Sequence, residues 1–151
     1  DMLPEPFDGL FVSMNFTRTD GSSSLTVDNG TVTFPFRKLS EDVSNISIGY
    51  DKNKFDVRLS YVSRSPYLDY LADDDSETIQ EDLDNNNIRY TDDHTQIDFN
   101  LKYKINDNLS VKFDINNITD EPEFYYWGTP NRLSQYDEYG TTYSIGIRYN
   151  L

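Results

Sequence analysis

Thr141-Thr142-Tyr143-Ser144-Ile145-Gly146-Ile147-Arg148-Tyr149-Asn150-Leu151 is the stretch whose reading decides the fold. In steps of two, Thr141, Tyr143, Ile145, Ile147, Tyr149 and Leu151 fall on one side. Thr142, Ser144, Gly146, Arg148 and Asn150 fall on the other, which is the signature of a strand. The alternation runs to Leu151, with no polar tail behind it. An apolar face bracketed by tyrosines and backed by Arg148 and Asn150 suits a wall with hydrocarbon on one side and water on the other, as in a transmembrane β-barrel.

The composition agrees with a β-rich chain. Its 151 residues are enough for one domain, yet hydrophobic residues reach only 36% while aromatics reach 15%. A disordered acidic chain would lack aromatic and β-branched residues, and a helical membrane protein would need about 20 apolar residues in succession. A thin apolar face on strands fits both figures. The formal net charge of −14 argues against nucleic acid as a partner, because phosphates call for clustered Lys and Arg. With no cysteine there is no disulfide framework and no thiolate metal site. The opening Asp1-Met2-Leu3-Pro4-Glu5-Pro6 lacks the basic and apolar regions of a signal peptide, so export would rely on a signal removed or lying upstream.

Outward from the terminal strand, the same alternation recurs. Leu10, Val12, Met14 and Phe16 predict a first strand of about ten residues, the length that spans an outer membrane when tilted. Leu25, Val27, Val32 and Phe34 suggest a short hairpin inside a polar loop over 20–42. Ile46, Ile48 and Tyr50, then Phe55, Val57, Leu59 and Tyr61, predict a hairpin turning at 51–54, with Tyr50 opposite Phe55 and Ile48 opposite Val57. Ile97 to Ile105 and Leu109 to Ile115 predict a second, turning at 106–108, with Leu101 opposite Phe113, Asn100 opposite Asp114 and Lys102 opposite Lys112. That like-charge pair needs water or the carboxylate of Asp114 to relieve it. Residues 65–93, with Asp73-Asp74-Asp75, Glu77, Glu81, Asp82, Asp84, Asp92 and Asp93, read as a long water-facing loop without secondary structure.

Turns at 51–54 and 106–108 are short, and connections at 20–42, 66–93 and 119–140 are long. Short turns on one rim and long loops on the other describe an outer-membrane barrel. Six strands are too few to close one, and open edges in lipid leave unpaired backbone groups costing several kcal/mol each. The fold class expected is therefore all-β: the last six or so strands of a larger transmembrane antiparallel barrel.

Asn116-Asn117-Ile118-Thr119-Asp120-Glu121-Pro122, Phe124-Tyr125-Tyr126-Trp127-Gly128, Asn131-Arg132, Gln135-Tyr136-Asp137-Glu138-Tyr139-Gly140 and Thr142–Tyr149, with Leu59-Ser60-Tyr61 and Arg64-Ser65-Pro66-Tyr67-Leu68 upstream, resemble the C-terminal end of TonB-dependent outer-membrane receptors. The resemblance implies a 22-stranded barrel with an N-terminal plug. It also implies a bacterial outer-membrane location among lipid and lipopolysaccharide, and nutrient uptake driven through the TonB complex. Residues 1–151 would be the C-terminal part of the barrel. Plug and TonB box do not occur in this sequence, and Leu151 stands where the family usually ends in Phe. Within the family the tail resembles the oligosaccharide-uptake branch more than the siderophore branch. The acidic balance points the same way, since anionic iron chelates call for a basic lumen.

The candidate ligand-binding residues are Tyr125, Tyr126 and Trp127 in the last long loop, which suit stacking on sugar rings but equally an interfacial girdle or loop packing. With them go the polar wall residues Arg58, Asp98, Asn100, Asp114 and Arg148. Asp82, Asp84, Asn86, the Ile88 carbonyl and Asp93 match positions 1, 3, 5, 7 and 12 of a calcium loop. Against that, the sixth position is Asn87, the twelfth is not Glu, and no flanking helices are evident; a solvated acidic face is the simpler reading. His94 is the only histidine, so no multi-histidine metal site can be built, and no enzymatic constellation stands out. No cofactor is expected beyond that calcium. Three functions remain open: an uptake receptor, for an oligosaccharide or alternatively a ferric siderophore; a non-transporting barrel such as an adhesin; or a soluble β-sandwich carbohydrate-binding module with Trp127 as platform.

Overall fold

The computed structural model describes residues 3–27, 30–71 and 76–150. Leu151 of the terminal strand, Asp28 and Asn29 of the first long loop, and Asp73-Asp74-Asp75 of the acidic run lie outside the described residues.

Six strands carry the alternating segments: β1 (Leu10–Arg18), β4 (Asp42–Lys52), β5 (Phe55–Arg64), β8 (His94–Lys104), β9 (Leu109–Asn116) and β12 (Thr142–Tyr149). They form one antiparallel sheet in the order β1-β4-β5-β8-β9-β12. Because side chains alternate with period two, the pairing lays Val12, Ile48, Leu59, Phe99, Ile115 and Tyr143 in one row across all six strands. On the opposite face one row holds Phe11, Gly49, Arg58, Asn100, Asp114 and Ser144. The sheet is thus apolar on one side and polar on the other over its full width.

The apolar side is not packed into a core. Leu59 is 47% exposed and Ile147 76% exposed, so Ile46, Leu59, Leu101, Phe113 and Ile147 spread over a surface instead of meeting in a dry centre. A β-sandwich would bury that face against a second sheet; this sheet leaves it bare, which removes the soluble carbohydrate-binding module from consideration. The outermost strands β1 and β12 end the sheet as open edges, and β12 is exposed along its whole length. Among the described residues no helix is long and apolar enough to cross a membrane.

The second hairpin has the expected register, with Leu101 opposite Phe113, Asn100 opposite Asp114 and Lys102 opposite Lys112. The first differs from expectation by two residues: Tyr50 faces Val57, Ile48 faces Leu59, and Lys52 faces Phe55. Its turn is the tight pair Asn53-Lys54, with Asn53 at φ 58°, a left-handed conformation that Asn tolerates. A slip of two residues keeps every side chain on its face, so the faces stand although the partners change.

The long connections are not structureless. The first holds the hairpin β2 (Ser22–Val27) and β3 (Gly30–Pro35), with Leu25 opposite Val32. The second holds β6 (Tyr67–Tyr70), the helix α1 (Ser76–Asp84) and β7 (Arg89–Thr91), and the third holds β10 (Glu123–Trp127) and β11 (Leu133–Asp137). Strands from the second and third join in a four-stranded sheet, β11-β10-β7-β6. Val32, Leu68, Leu71, Ile79 and Ile88 are buried together, with Leu25, Phe34, Leu83 and Tyr90 against them. The reading of 65–93 as a loop without secondary structure is therefore corrected. A small apolar core joins the first and second connections, and the pairing of β10 with β7 adds the third to the same cap.

Candidate functional site

The polar face of the six-stranded sheet is organised around Asp114. One carboxylate oxygen accepts from Asn100 Nδ2 at 2.8 Å, the other from Ser144 Oγ at 3.3 Å, and Lys112 Nζ lies 2.9 Å away. The same row ends at Phe11, whose ring sits 5.3 Å from the Arg58 guanidinium. That ring lies over Gly49. A Cβ there would come within 2.3 Å of Phe11 Cζ and 2.7 Å of the Val57 carbonyl, so only glycine lets an aromatic ring lie on this wall.

Of the wall residues expected to bind ligand, Arg58, Asn100 and Asp114 share that row. Asp98 lies one row nearer the long connections, opposite Ser60. It accepts from the Asn117 N–H at 2.9 Å and from Gln96 Nε2 at 2.8 Å, which fixes the turn leading to β10. Arg148 lies near the short-turn rim, opposite Ser110.

Arg64 joins the wall to the cap. Standing at the end of β5 on the polar face, it donates to the Asp92 carbonyl at 2.9 Å, covers the Tyr67 ring at 5.0 Å and approaches Glu123 at 4.0 Å. Beyond it the Tyr125 hydroxyl donates to Glu123 at 2.7 Å, and the Arg89 guanidinium lies 5.1 Å from the Tyr125 ring centre. Arg89 Nε donates to Asp69 at 2.7 Å, and its Nη2 pairs with the same oxygen. Gln135, opposite Tyr125, donates to Asp137 at 2.7 Å. Aromatic rings, carboxylates, an amide and a guanidinium thus share a surface continuous with the polar wall.

The three candidate aromatics divide. Alternation along β10 puts Tyr125 and Trp127 on one face and Tyr126 on the other. Tyr126 is buried, stacked on Tyr90 at 5.6 Å and tilted against Phe124 at 6.4 Å; it packs the cap. The hydrogen bond to Glu123, then burial, hold the Tyr125 hydroxyl well above the usual tyrosine range, and burial raises Tyr126 and Tyr90. Arg64, Asp69, Arg89, Glu123 and Gln135 were missed in sequence because strands far apart in the chain bring them together.

Part of the calcium loop read over 82–93 is helix. Asp82 and Asp84 lie in the last turn of α1, and backbone carbonyls of that turn are used to close the helix. Asn86, at φ 53°, donates its N–H to the Leu83 carbonyl at 3.2 Å, and Asn87 to that of Asp82 at 2.7 Å. This is the bond pattern of a left-handed helix stop. The Asn86 carbonyl takes Arg132 Nη1 at 3.0 Å, and the Ile88 carbonyl takes the Gly128 N–H at 2.8 Å. Among the described residues no three acidic or histidine side chains are placed to hold a metal ion. His94 begins β8, opposite Arg64.

Charge is unevenly divided. Residues 19–41, 65–93 and 119–140 hold 18 acidic and 4 basic residues, so the whole net charge of −14 resides in the long connections, and the rest of the chain, with 9 of each, is neutral. The chain's acidity therefore says nothing about its polar wall. Near the short-turn rim that wall carries Lys102, Lys104, Lys112 and Arg148. Lys102 and Lys112 stand directly opposite. Asp114 relieves Lys112 as expected, while Lys102, Lys104 and Arg148 have no ion-pair partner among the described residues.

A family model described as TonB dependent receptor-like, beta-barrel, matches residues 5–118. Neither a curated protein nor a solved structure matches the chain.

Proposed function

The chain belongs to the TonB-dependent receptor-like β-barrel family, and from that premise we propose that it is the C-terminal part of the wall and cap of an outer-membrane receptor that takes up a polyhydroxylated nutrient, an oligosaccharide. The apolar face then meets lipid and the polar face lines the lumen. The short turns at 53–54 and 106–108 face the periplasm, and the cap stands outside. The family implies a plug in the lumen and TonB as energy coupler; the remaining strands would pair with the open edges of β1 and β12.

The observation that carries the reading is the surface above Arg64. Tyr67 and Tyr125, each with a guanidinium over one side of its ring, would turn the remaining ring surface to a sugar together with Trp127, and Glu123, Asp137, Gln135 and Arg89 would supply acceptors and donors for its hydroxyls, the mixture that ligand sites use. The apolar core beneath them holds the surface in place before ligand arrives, which lowers the ordering cost of binding.

Titration of the intact receptor in detergent with neutral oligosaccharides and with ferric siderophores tests this. Saturable sugar binding that Trp127→Ala and Tyr125→Ala weaken by about tenfold each is expected, the usual worth of an aromatic anchor. Binding of iron chelates alone would replace the sugar with a siderophore, a reading that the cations of the lower wall favour.

A further inference from the structure

The helix α1 ends on charges that its own segment does not balance. Its last turn carries Asp82 and Asp84 and no basic residue. Carboxylates therefore stand where unpaired carbonyls already give a helix negative partial charge. The only basic residue of 65–93, Arg89, is bound to Asp69. A cation arrives instead from the third connection. Arg132 Nη1 donates to the Asn86 carbonyl at 3.0 Å and Nη2 to Asn87 Oδ1 at 3.4 Å, while Asn87 Nδ2 donates to Asp82 at 3.2 Å. A cation on the closing carbonyls of a helix is the arrangement its dipole favours.

The turn that brings Arg132 there begins at Trp127. The Trp127 N–H donates to the Arg132 carbonyl at 2.8 Å, the Thr129 N–H to the Trp127 carbonyl at 2.6 Å, and the Arg132 N–H to the Thr129 carbonyl at 2.9 Å. Pro130 fixes one φ inside that last bond. Gly128 ties the turn to the helix stop, its N–H donating to the Ile88 carbonyl at 2.8 Å. At φ 65° it is left-handed, and a Cβ there would lie 2.1 Å from the Asn86 carbonyl oxygen. Only glycine lets the two backbones meet so closely.

Register explains why this seat matters to the ring. Trp127 is the last residue of β10 and is half-buried. On one side it pairs with Arg89 of β7; on the other the pairing with β11 stops at Tyr126 and Leu133, so its N–H goes to the turn. A ring at a strand end keeps one place only while the backbone after it is fixed. Freed backbone adds conformations that binding must then remove.

We propose that Arg132 and Gly128 are positioning residues for ligand binding: by seating the 127–132 turn on the end of α1, they hold Trp127 in the place where ligand meets it. This rests on the uptake reading, in which Trp127 stacks on the solute. It adds that affinity depends on the acidic helix through a guanidinium from another connection.

Two measurements on the intact receptor in detergent test the assignment. The first uses no ligand: acrylamide quenching of Trp127 emission, taken as the difference between the parent and Trp127→Phe. Arg132→Ala and Gly128→Ala should raise the quenching constant toward that of a fully exposed ring. Arg132→Lys, which keeps a cation and a donor for the Asn86 carbonyl, should stay near the parent. The second is affinity for maltohexaose and xylohexaose. Arg132→Ala should weaken it about fivefold, the net worth of one hydrogen bond, and Gly128→Ala about tenfold, as much as removing the ring. In a Trp127→Ala background neither should weaken it further, because both act through that ring. Quenching at the parent level in both variants overturns the assignment, and so does a loss of affinity that persists in the Trp127→Ala background. A receptor that binds sugar and loses affinity with Trp127→Ala, but not with Arg132→Ala or Gly128→Ala, keeps the uptake reading and removes the positioning role. Absence of saturable sugar binding in the parent, or indifference to Trp127→Ala, would sink both.

Discussion

Placing a lysine at Ile48 should destabilise the receptor far more than placing one at Ser47, although the two are neighbours in β4. Ile48 lies midway along Asp42–Lys52, between Val12 and Leu59 in the apolar row, and is 52% exposed in the isolated sheet. In a closed barrel that exposed half meets hydrocarbon. A lysine at the bilayer midplane costs about 2–4 kcal/mol, falling to about 0–1 kcal/mol near the interface. Ser47 points to the polar face, where its hydroxyl is 3.2 Å from that of Ser60. Its replacement loses one neutral hydrogen bond, about 1 kcal/mol, and leaves the new ammonium in water. The expected gap of about 2 kcal/mol is roughly 30-fold in the folding equilibrium. Leu10, opposite Tyr50 beside the short turn, supplies the depth control, with a cost for Leu10→Lys of about 0–1 kcal/mol. Equilibrium unfolding of the intact receptor in phosphatidylcholine vesicles, followed in guanidinium, measures all three. Equal losses for Ile48→Lys and Ser47→Lys would refute the assignment of faces, and a Leu10→Lys as costly as Ile48→Lys would refute the placement of the rim.

Gly49→Ala should cost about 1–3 kcal/mol through overpacking, since its new methyl meets both the Phe11 ring and the Val57 carbonyl; a thermal midpoint identical to the parent's would count against the packing described. Leu68→Ala empties part of the cap core and should cost about 2–5 kcal/mol in the cap alone, seen as protease cleavage within 65–93 while the barrel keeps its heat-modifiable mobility in gels; loss of that mobility would show cap and barrel to be one cooperative unit. The pH dependence follows from Tyr125, whose folded-state value lies above the ordinary one near 10 because of Glu123 and burial. Its contribution is therefore complete below about pH 10 and is lost as pH rises further. The difference in phenolate absorbance between parent and Tyr125→Phe should stay absent at pH 10 and appear only at higher pH, whereas titration at the free tyrosine value would show the Glu123 bond to be without effect.

The wall was legible because a strand between two solvents writes its environment into every second residue. Leu10 to Phe16, Ile97 to Ile105 and Thr142 to Tyr149 could each be assigned faces with no structure. Register was legible only where the turn was: Asn106-Asp107-Asn108 fixed the second hairpin, but Asp51-Lys52-Asn53-Lys54 allowed turns of two or four residues with the same faces, and polarity cannot separate them. The cap was hidden by its charge. Asp82 and Asp84 drew attention to a calcium spacing, while the helical spacing of Ile79 and Leu83, four apart and flanked by acids, was the signal of an amphipathic helix. The pairing of Arg89 with Asp69, or Arg64 with Glu123, left no trace in spacing at all, since each joins segments of chain that meet only when β6, β7 and β10 assemble.

Net charge misled for a related physical reason. It sums over a chain whose two regions act on a solute at different stages. The cap's −14 is felt at a distance of about one Debye length, near 8 Å in physiological salt, and so bears on how fast a charged solute arrives. The lower wall acts at contact, where Lys102 and Arg148 exchange hydration for hydrogen bonds to whatever lies against them, and so bears on how long it stays and which end it presents. An acidic chain can therefore still hold an acidic group at such a place. Overall acidity slows a free polyanion at the approach; it leaves the identity of the bound group to the few side chains that touch it.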